Sequence, residues 1–462
     1  MSKPDYKLKP QDFVLNFLKQ GTNAKDFLFV TETKNFYQYT NGYYRSLTPE
    51  EIDELFYLFM LKEYSEYRLS MSFIHDLVLQ LAIQIPNKIH QITDNYIAFD
   101  DTLLDLKTFT TRDFDRKLIT SFYLPFRYAD ITTFPTPYWT QYLNSTFVIP
   151  DTEQTDGTLI NFIQEMMGNI LLPSLDSASA YFFVGSGANG KSILLDIIRQ
   201  IIGDQYLASS SIETLTTDKF SVASLVGKKI NICNEEESKF VKADKFKALV
   251  TGDPIDAQYK FGAHFTFRPR VKYLFASNEM PTFNSVNEGT LRRLKIIPFN
   301  AYFGPQDKKT IPDLKYRLPE ELPGIVAWAI EGAKRLSARN LQHTLPPQME
   351  NALDEFKDEA SSAVAFFREK YIVTSNGFTS NDDMYDLYKT WCIDNGKKQM
   401  SKAKFGKDLL LAFKNLRQKM GRVDSELTHG KNCEPRNLSA ELEGVEGATT
   451  GGVSVDEIDF GN

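Results

Sequence analysis

Cysteine and tryptophan are scarce in this chain, and long apolar runs are missing. Three cysteines and three tryptophans stand among 462 residues. Cys233, Cys392 and Cys433 are far apart and form no C-x-x-C pair, which argues against a disulfide framework or a zinc site. No run approaches the roughly 18 apolar residues of a membrane span, so no membrane partner is expected. The opening stretch MSKPDYKLKPQDF lacks the apolar centre of a signal peptide, and a cytoplasmic location is expected.

What is present is the composition of a globular protein, 42% hydrophobic and 24% charged, with Phe and Tyr as the main aromatics. A net charge of -7 speaks against nucleic acid until its distribution is read. Residues 424–462 hold nine Asp or Glu and two Lys or Arg, which is the whole excess. Residues 387–422 hold ten Lys or Arg against only Asp394 and Asp408. Such clustering is the electrostatic footprint of phosphate binding.

The expected fold class is α/β, and five segments can be drawn. Residues 1–150 alternate strand and helix signals. Within them Asn41-Gly42 supplies the positive φ angles of a primed hairpin turn, and Thr48-Pro49-Glu50-Glu51 reads as a capped helix start. Residues 151–345 form the central domain. It opens with an amphipathic helix (Leu159-Ile160, Phe162-Ile163, Met166-Met167, Ile170-Leu171) that Pro173 ends. From Ala180 to about Phe299, short apolar runs separated by helices mark an α/β core. Residues 346–362 read as a linker and 363–423 as a small, mainly helical domain. Residues 424–462 have too few large apolar groups to offset the entropy of ordering, so a disordered acidic tail is expected.

The chemistry concentrates after the apolar run Ala180–Val184. Gly185-Ser186-Gly187-Ala188-Asn189-Gly190-Lys191-Ser192 fits G-x4-G-K-[ST] without a mismatch. Glycines let such a loop turn its N–H groups toward phosphate oxygens, Lys191 adds a charge at the β/γ-phosphates, and Ser192 can ligate Mg²⁺. The following apolar spacing opens a helix whose dipole favours the anion. ATP and Mg²⁺ are therefore the expected ligands.

A second acidic element is expected at the end of a neighbouring strand, where Lys228–Asn234 runs into Glu235-Glu236-Glu237. One carboxylate there can hold the metal, with Glu235 the candidate, and an adjacent one can polarise the attacking water. Which of the three is the base stays open. The buried run Val271–Ser277 ends at Asn278, which can orient water at a γ-phosphate. Arg292-Arg293 precede another apolar run, and an arginine can stabilise phosphoryl charge in a neighbouring subunit.

In this order and spacing the chain resembles the superfamily 3 helicases, in particular the helicase half of phage, plasmid and poxvirus-type primase-helicases. The resemblance rests on Gly187–Ser192, Glu235-Glu236 and Lys247-Ala248-Leu249-Val250-Thr251-Gly252-Asp253. It continues through Phe267-Arg268-Pro269, Ala276-Ser277-Asn278-Glu279-Met280-Pro281 and Leu291–Phe299. It implies a P-loop core of AAA+ kind, with Lys191 and Ser192 at the nucleotide, Glu235 and Glu236 as the acidic pair, Asn278 as sensor and Arg293, or else Arg292, as the arginine finger. It also implies a homo-hexameric ring moving 3′ to 5′ on single-stranded DNA. Met384–Cys392 with Phe405 resembles the family's C-terminal winged helix. Because the match begins near residue 95, any primase, like a polymerase, is expected to be a separate partner.

Two DNA contacts are expected. Ile255–Phe267 reads as two short strands around a Gly-containing turn. By the resemblance this hairpin projects into the ring channel; Lys260 can pair with phosphate, and Tyr259, Phe261 or His264 can stack on bases. Ser401 caps a helix carrying Lys402, Lys404 and Lys407, which fits a recognition helix. The expected function is an ATP-driven DNA helicase replicating a phage or mobile element. An origin-binding, DNA-melting initiator and a non-motor nucleotide-dependent scaffold are the alternatives.

Overall fold

Apolar runs without polar alternation need cover on both faces, the situation of parallel strands. The computed structural model describes residues 9–436 apart from 21–25, 68, 153, 174–177, 237–239, 261–263, 305–310, 312, 414 and 424–425. At its centre, β1 (Ala180–Val184), β2 (Leu207–Ala208), β3 (Ile230–Cys233), β4 (Lys272–Ser277) and β5 (Leu294–Pro298) form one sheet in the order β5-β1-β4-β3-β2. Every pairing in it is parallel.

One face is covered by α1 (Gly157–Leu171), α2 (Lys191–Ile202) and α3 (Leu322–Ala338). Asp156 caps α1 by accepting from the N–H groups of Thr158 and Leu159. Helices α1 and α3 cross at backbone distance: a Cβ on Gly332 would lie 2.0 Å from the Gln164 carbonyl, and one on Gly168 2.2 Å from the Ala333 nitrogen. The other face is packed by Ile212–Thr217, Lys219–Ala223 and Ala243–Thr251, around Phe246, Phe275 and Phe283.

The first 150 residues do not form one region. Residues from Phe13 to Ile85 close their own core. There the Asn41-Gly42 turn joins Asn35–Thr40 to Tyr43–Ser46, and Thr48 and Glu51 make the reciprocal cap. Ile97, Phe99, Leu104, Trp139, Tyr142 and Phe147 belong instead to the core beneath the central sheet. The expected unit 1–150 thus holds two cores, and from about residue 90 it packs on the central domain. Lys229, at the foot of β3, is ion-paired with Asp94 across this junction.

Two further expectations are corrected. The stretch 346–362 is no free linker: α4 (Pro347–Ala360) buries Met349 and Phe356 against the central domain. Pro347 stands at its first turn, where a missing N–H does no harm. The acidic tail does not begin at 424 either. Glu426–Lys431 pairs with Gln418–Val423 and with Thr379–Ser380, and Cys433–Pro435 pairs with Tyr371–Val373. A charge average over the segment hides this, because Cys433 is fully buried and Lys431 is 2% exposed. The rest of the expected tail, from 437, lies outside the described residues.

Among the described residues the C-terminal unit thus has three helices, α5 (Ser362–Lys370), α6 (Asn381–Asp394) and α7 (Lys402–Ala412), and these strands, around Phe366, Tyr388, Trp391 and Phe405. Ser380 caps α6 and Ser401 caps α7. Among the described residues no helix is long and apolar enough to cross a membrane.

Candidate nucleotide cavity and basic surfaces

A cavity of about 740 Å³ opens at the carboxyl ends of the central strands. This is where open parallel sheets hold ligands, at the point where strand order reverses. The loop 187–192 lines one side, Asn234, Glu235 and Glu236 a second, and Ser277 with Asn278 the floor between them.

The loop's shape follows from its glycines. Gly187 and Gly190 have φ near 90°, and a Cβ on Gly185 would lie 2.4 Å from the Asn189 amide nitrogen and 2.6 Å from the Phe299 carbonyl. Asn189 is buried and donates from Nδ2 to the Phe299 carbonyl at 3.3 Å, tying the loop to the end of β5. Lys191 is 8% exposed; its Nζ donates to the Gly185 carbonyl (2.6 Å) and to Asn189 Oδ1 (3.2 Å). Burial pulls its pKa below the ordinary lysine value. No carboxylate pairs with this ammonium among the described residues, so it is held at the cavity by neutral oxygens alone. Ser192 is exposed at the first turn of α2. Gly185 and Ser186 stand behind the loop and do not line the cavity.

The two described glutamates differ. Glu235 is exposed, whereas Glu236 is 5% exposed and accepts from the Ile212 N–H at 2.7 Å. Glu237 lies outside the described residues. Burial and the neighbouring Glu236 push the Cys233 thiol up to about 11, so it stays protonated. Asn278 is exposed at the tip of β4, and the buried hydroxyl of Ser277 has no hydrogen-bond partner.

Neither arginine lines the cavity. Both precede β5, at the opposite end of the sheet, where the Arg293 carbonyl accepts from the Ala180 N–H at 2.8 Å. Arg293 is 8% exposed and donates to the Gly289 carbonyl at 2.5 Å, while Arg292 is exposed. Of the pair, Arg292 is the one open to a neighbouring molecule.

Sequence motifs missed two contacts that hold the loop. Tyr142, from the helix Pro137–Thr146, donates its hydroxyl to the Gly190 carbonyl at 2.9 Å. The Phe303 N–H donates to the Ala188 carbonyl at 2.7 Å from the other side. Tyr142 lies far upstream of the loop in a helix with no local catalytic pattern, so nothing in the sequence signals it.

The strands Ile255–Gln258 and His264–Phe267 do form an antiparallel hairpin. Tyr259 and Lys260 are exposed, and Tyr259 stacks on Phe265 at 5.0 Å; the tip, 261–263, lies outside the described residues. His264 Nε2 is 3.2 Å from the ammonium of Lys219, whose neighbour Phe220 is 46% exposed. Lys219 and Phe220 were also missed, although a capping Asp218 followed by an exposed basic–aromatic pair is a readable signal. In the C-terminal unit Lys402, Lys404 and Lys407 are all exposed on α7, and Lys402 is ion-paired with Asp382.

Three family models match successive parts of the chain. "D5 N terminal like" matches residues 21–148, "Family of unknown function (DUF5906)" residues 183–293 and "Poxvirus D5 protein-like" residues 359–429. The models at either end of the chain are both of D5 type, so the chain is similar to D5-like proteins at both ends. Similar proteins include L207/L206 of Acanthamoeba polyphaga mimivirus, 33% identical over 175 residues, and 121R of Invertebrate iridescent virus 3, 23% identical over 339 residues. Frog virus 3 022R is 21% identical over 270 residues, and all three carry the name "putative helicase". They cover 36%, 66% and 54% of this chain, which spans only 18%, 35% and 27% of their own lengths. Among solved structures, the NrS-1 C-terminal region aligns with 92% of this chain and 99% of its own, at 10% identity and a TM-score of 0.49.

Proposed function

We propose that this chain is the ATP-hydrolysing DNA-unwinding part of a replicative helicase. One observation carries the reading: Lys191, Glu235 and Asn278 converge on one cavity from the ends of β1, β3 and β4. That is the set a phosphoryl transfer to water needs, a cation for the phosphates, a carboxylate for the metal and a polar group for the nucleophile. The strand order with the glycine loop at the tip of a central strand supports an AAA+-like P-loop core. ATP fits the residues present, since the loop offers backbone donors and Ser277 brings an unsatisfied hydroxyl to the same wall.

Ser192 and Glu235 would hold Mg²⁺, which would supply positive charge beside the phosphates. Glu236, held by the Ile212 N–H, positions that wall; Glu235 is the carboxylate open to solvent and to the attacking water. Lys191 neutralises the phosphate oxygens, and Tyr142 fixes the loop from behind. Lys260 and His264 would grip single-stranded DNA, and Lys402, Lys404 and Lys407 would grip origin or duplex DNA through a winged-helix unit. Arg292 would complete the cavity of an adjacent copy, so a ring, hexameric by the family resemblance and moving 3′ to 5′, is the proposed working form.

The test is ATP turnover with and without single-stranded DNA, alongside strand displacement on long DNA and RNA duplexes. DNA-stimulated turnover with processive DNA unwinding is expected. Turnover that melts only short duplexes would make the chain an origin-melting initiator, and RNA unwinding at equal rate would overturn the DNA assignment.

A further inference from the structure

Two residues of the C-terminal unit are ones that folding alone would select against, and they line the same groove. The groove, about 440 Å³, runs between α7 and the sheet of Gln418–Val423 and Glu426–Lys431. Lys431 lies on the central strand of that sheet, between Thr379 and Gln418, and is 2% exposed. Its ammonium makes no hydrogen bond or ion pair among the described residues. A buried charge without a partner is costly, and burial draws its pKa below the ordinary lysine value.

The second residue is Gly406, inside α7. Glycine in a helix interior is about 1 kcal/mol worse than alanine. Packing does not demand it, because a Cβ there would meet nothing within 4 Å. Its missing side chain widens the groove beside Lys431 and lets a ligand's backbone come close. Asn381 and Gln418 supply amide groups to the walls, and Lys407, exposed and without an ion pair among the described residues, stands at the mouth with Lys402. Lys402 is already held by Asp382.

We propose that this groove seats one phosphate of a DNA backbone, with the Lys431 ammonium as its floor and Gly406 as the gap through which the backbone enters. A phosphodiester matches the donors: one negative charge for a desolvated cation, and acceptor oxygens for amides and ammonium. The proposal rests on the reading of the C-terminal unit as DNA-binding, and adds Lys431, Gly406 and Gln418 to it.

The experiment uses the full chain and a duplex oligonucleotide, with affinity followed between 50 and 200 mM salt and thermal melting measured in parallel. Lys431→Met should flatten the log–log salt slope by about 0.9, the contribution of one phosphate, equivalent to roughly threefold less loss of affinity across that range. Its melting temperature should rise, because an unpaired buried charge is removed. Gly406→Ala should likewise melt higher yet bind duplex more weakly. A lower melting temperature for Lys431→Met, or an unchanged slope, overturns the proposal. The variant with Lys402, Lys404 and Lys407 all changed to Gln separates the two levels. If it loses affinity while Lys431→Met does not, only the groove is wrong; if neither loses affinity, the DNA reading itself fails. Inorganic phosphate added at constant ionic strength is the last arm. Stabilisation of the wild type by phosphate, with DNA affinity untouched, would assign the groove to a free anion and overturn the DNA source.

Discussion

At the amino-terminal ends of β1 and β4, Glu165 of α1 is 2% exposed and surrounded by cations. It accepts from Arg335 at 2.9 Å and from Arg339, with His343 3.6 Å away, and the His343 Nε2 meets the Tyr181 hydroxyl at 3.1 Å. At the carboxyl ends of the same strands, Lys191 has only neutral oxygens around its ammonium, and Glu236 faces a backbone N–H. The first cluster spends its charges on one another and fixes α1 against α3. The second keeps cation and carboxylate apart, on separate walls of one cavity. Charges set on separate walls of a cavity can both face a ligand; charges that pair between two helices are scaffolding.

The sharpest way to break this contrast is Glu165→Gln. Removing the carboxylate that two part-exposed arginines share should destabilise the protein by about 1.5–3 kcal/mol, read by urea unfolding, while turnover per folded molecule stays near wild type. The same pair gives a pH signature. Burial alone would raise Glu165, but His343, Arg335 and Arg339 bring it down to about 2 from 4.5. Its contribution is therefore complete above about pH 4.5 and lost as pH falls toward 2. Glu165→Gln should lack that component in an acid titration of stability. Equal acid sensitivity in both proteins would mean the cluster is not the scaffold described.

Lys191→Ala should do the opposite. Turnover should drop by about 10²–10³-fold or more, since a preorganised charge at the transferring group is removed, with the melting temperature unchanged. Near wild-type turnover in a well-folded variant would remove the cavity from consideration as the catalytic centre.

A smaller effect sharpens the comparison across copies of the chain. Mixing Arg292→Ala with Lys191→Ala chains should recover part of the turnover, because some interfaces then combine an intact loop with an intact arginine. Arg293→Ala should instead lower stability through the lost Gly289 contact. Recovery with Arg293→Ala and none with Arg292→Ala, in mixtures that co-assemble, would reverse the assignment. The smallest effects concern DNA. Changing Lys402, Lys404 and Lys407 should flatten the salt slope by roughly 2 to 3 and spare turnover at saturating single-stranded DNA. Lys260→Ala should leave duplex affinity nearly unchanged while abolishing unwinding.

The glycine loop, the acidic strand end and Asn278 were legible because each is a local pattern beside an apolar run, and a parallel sheet brings strand ends together. The hairpin and both serine caps of the C-terminal unit were legible for the same reason. Tyr142 was not, since its role depends on a helix folding back onto Gly190. The choice between Arg292 and Arg293 was closed to sequence as well: neighbouring residues are told apart only by which one turns under β5. The strands beyond 424 were lost because a charge average over a segment says nothing about where Lys431 and Cys433 are buried.

The paired arginines and the glycine loop sit at the two ends of a strand pair five residues long, about 17 Å apart along the strands. If Arg292 completes a neighbour's cradle as proposed, a twofold axis that faces like to like cannot satisfy both ends. Each contact has to join two different surfaces, head to tail, and such contacts either close into a ring or run on as a filament. Assemblies built this way have a front and a back, and a strand of DNA threaded through one would meet every copy in the same direction.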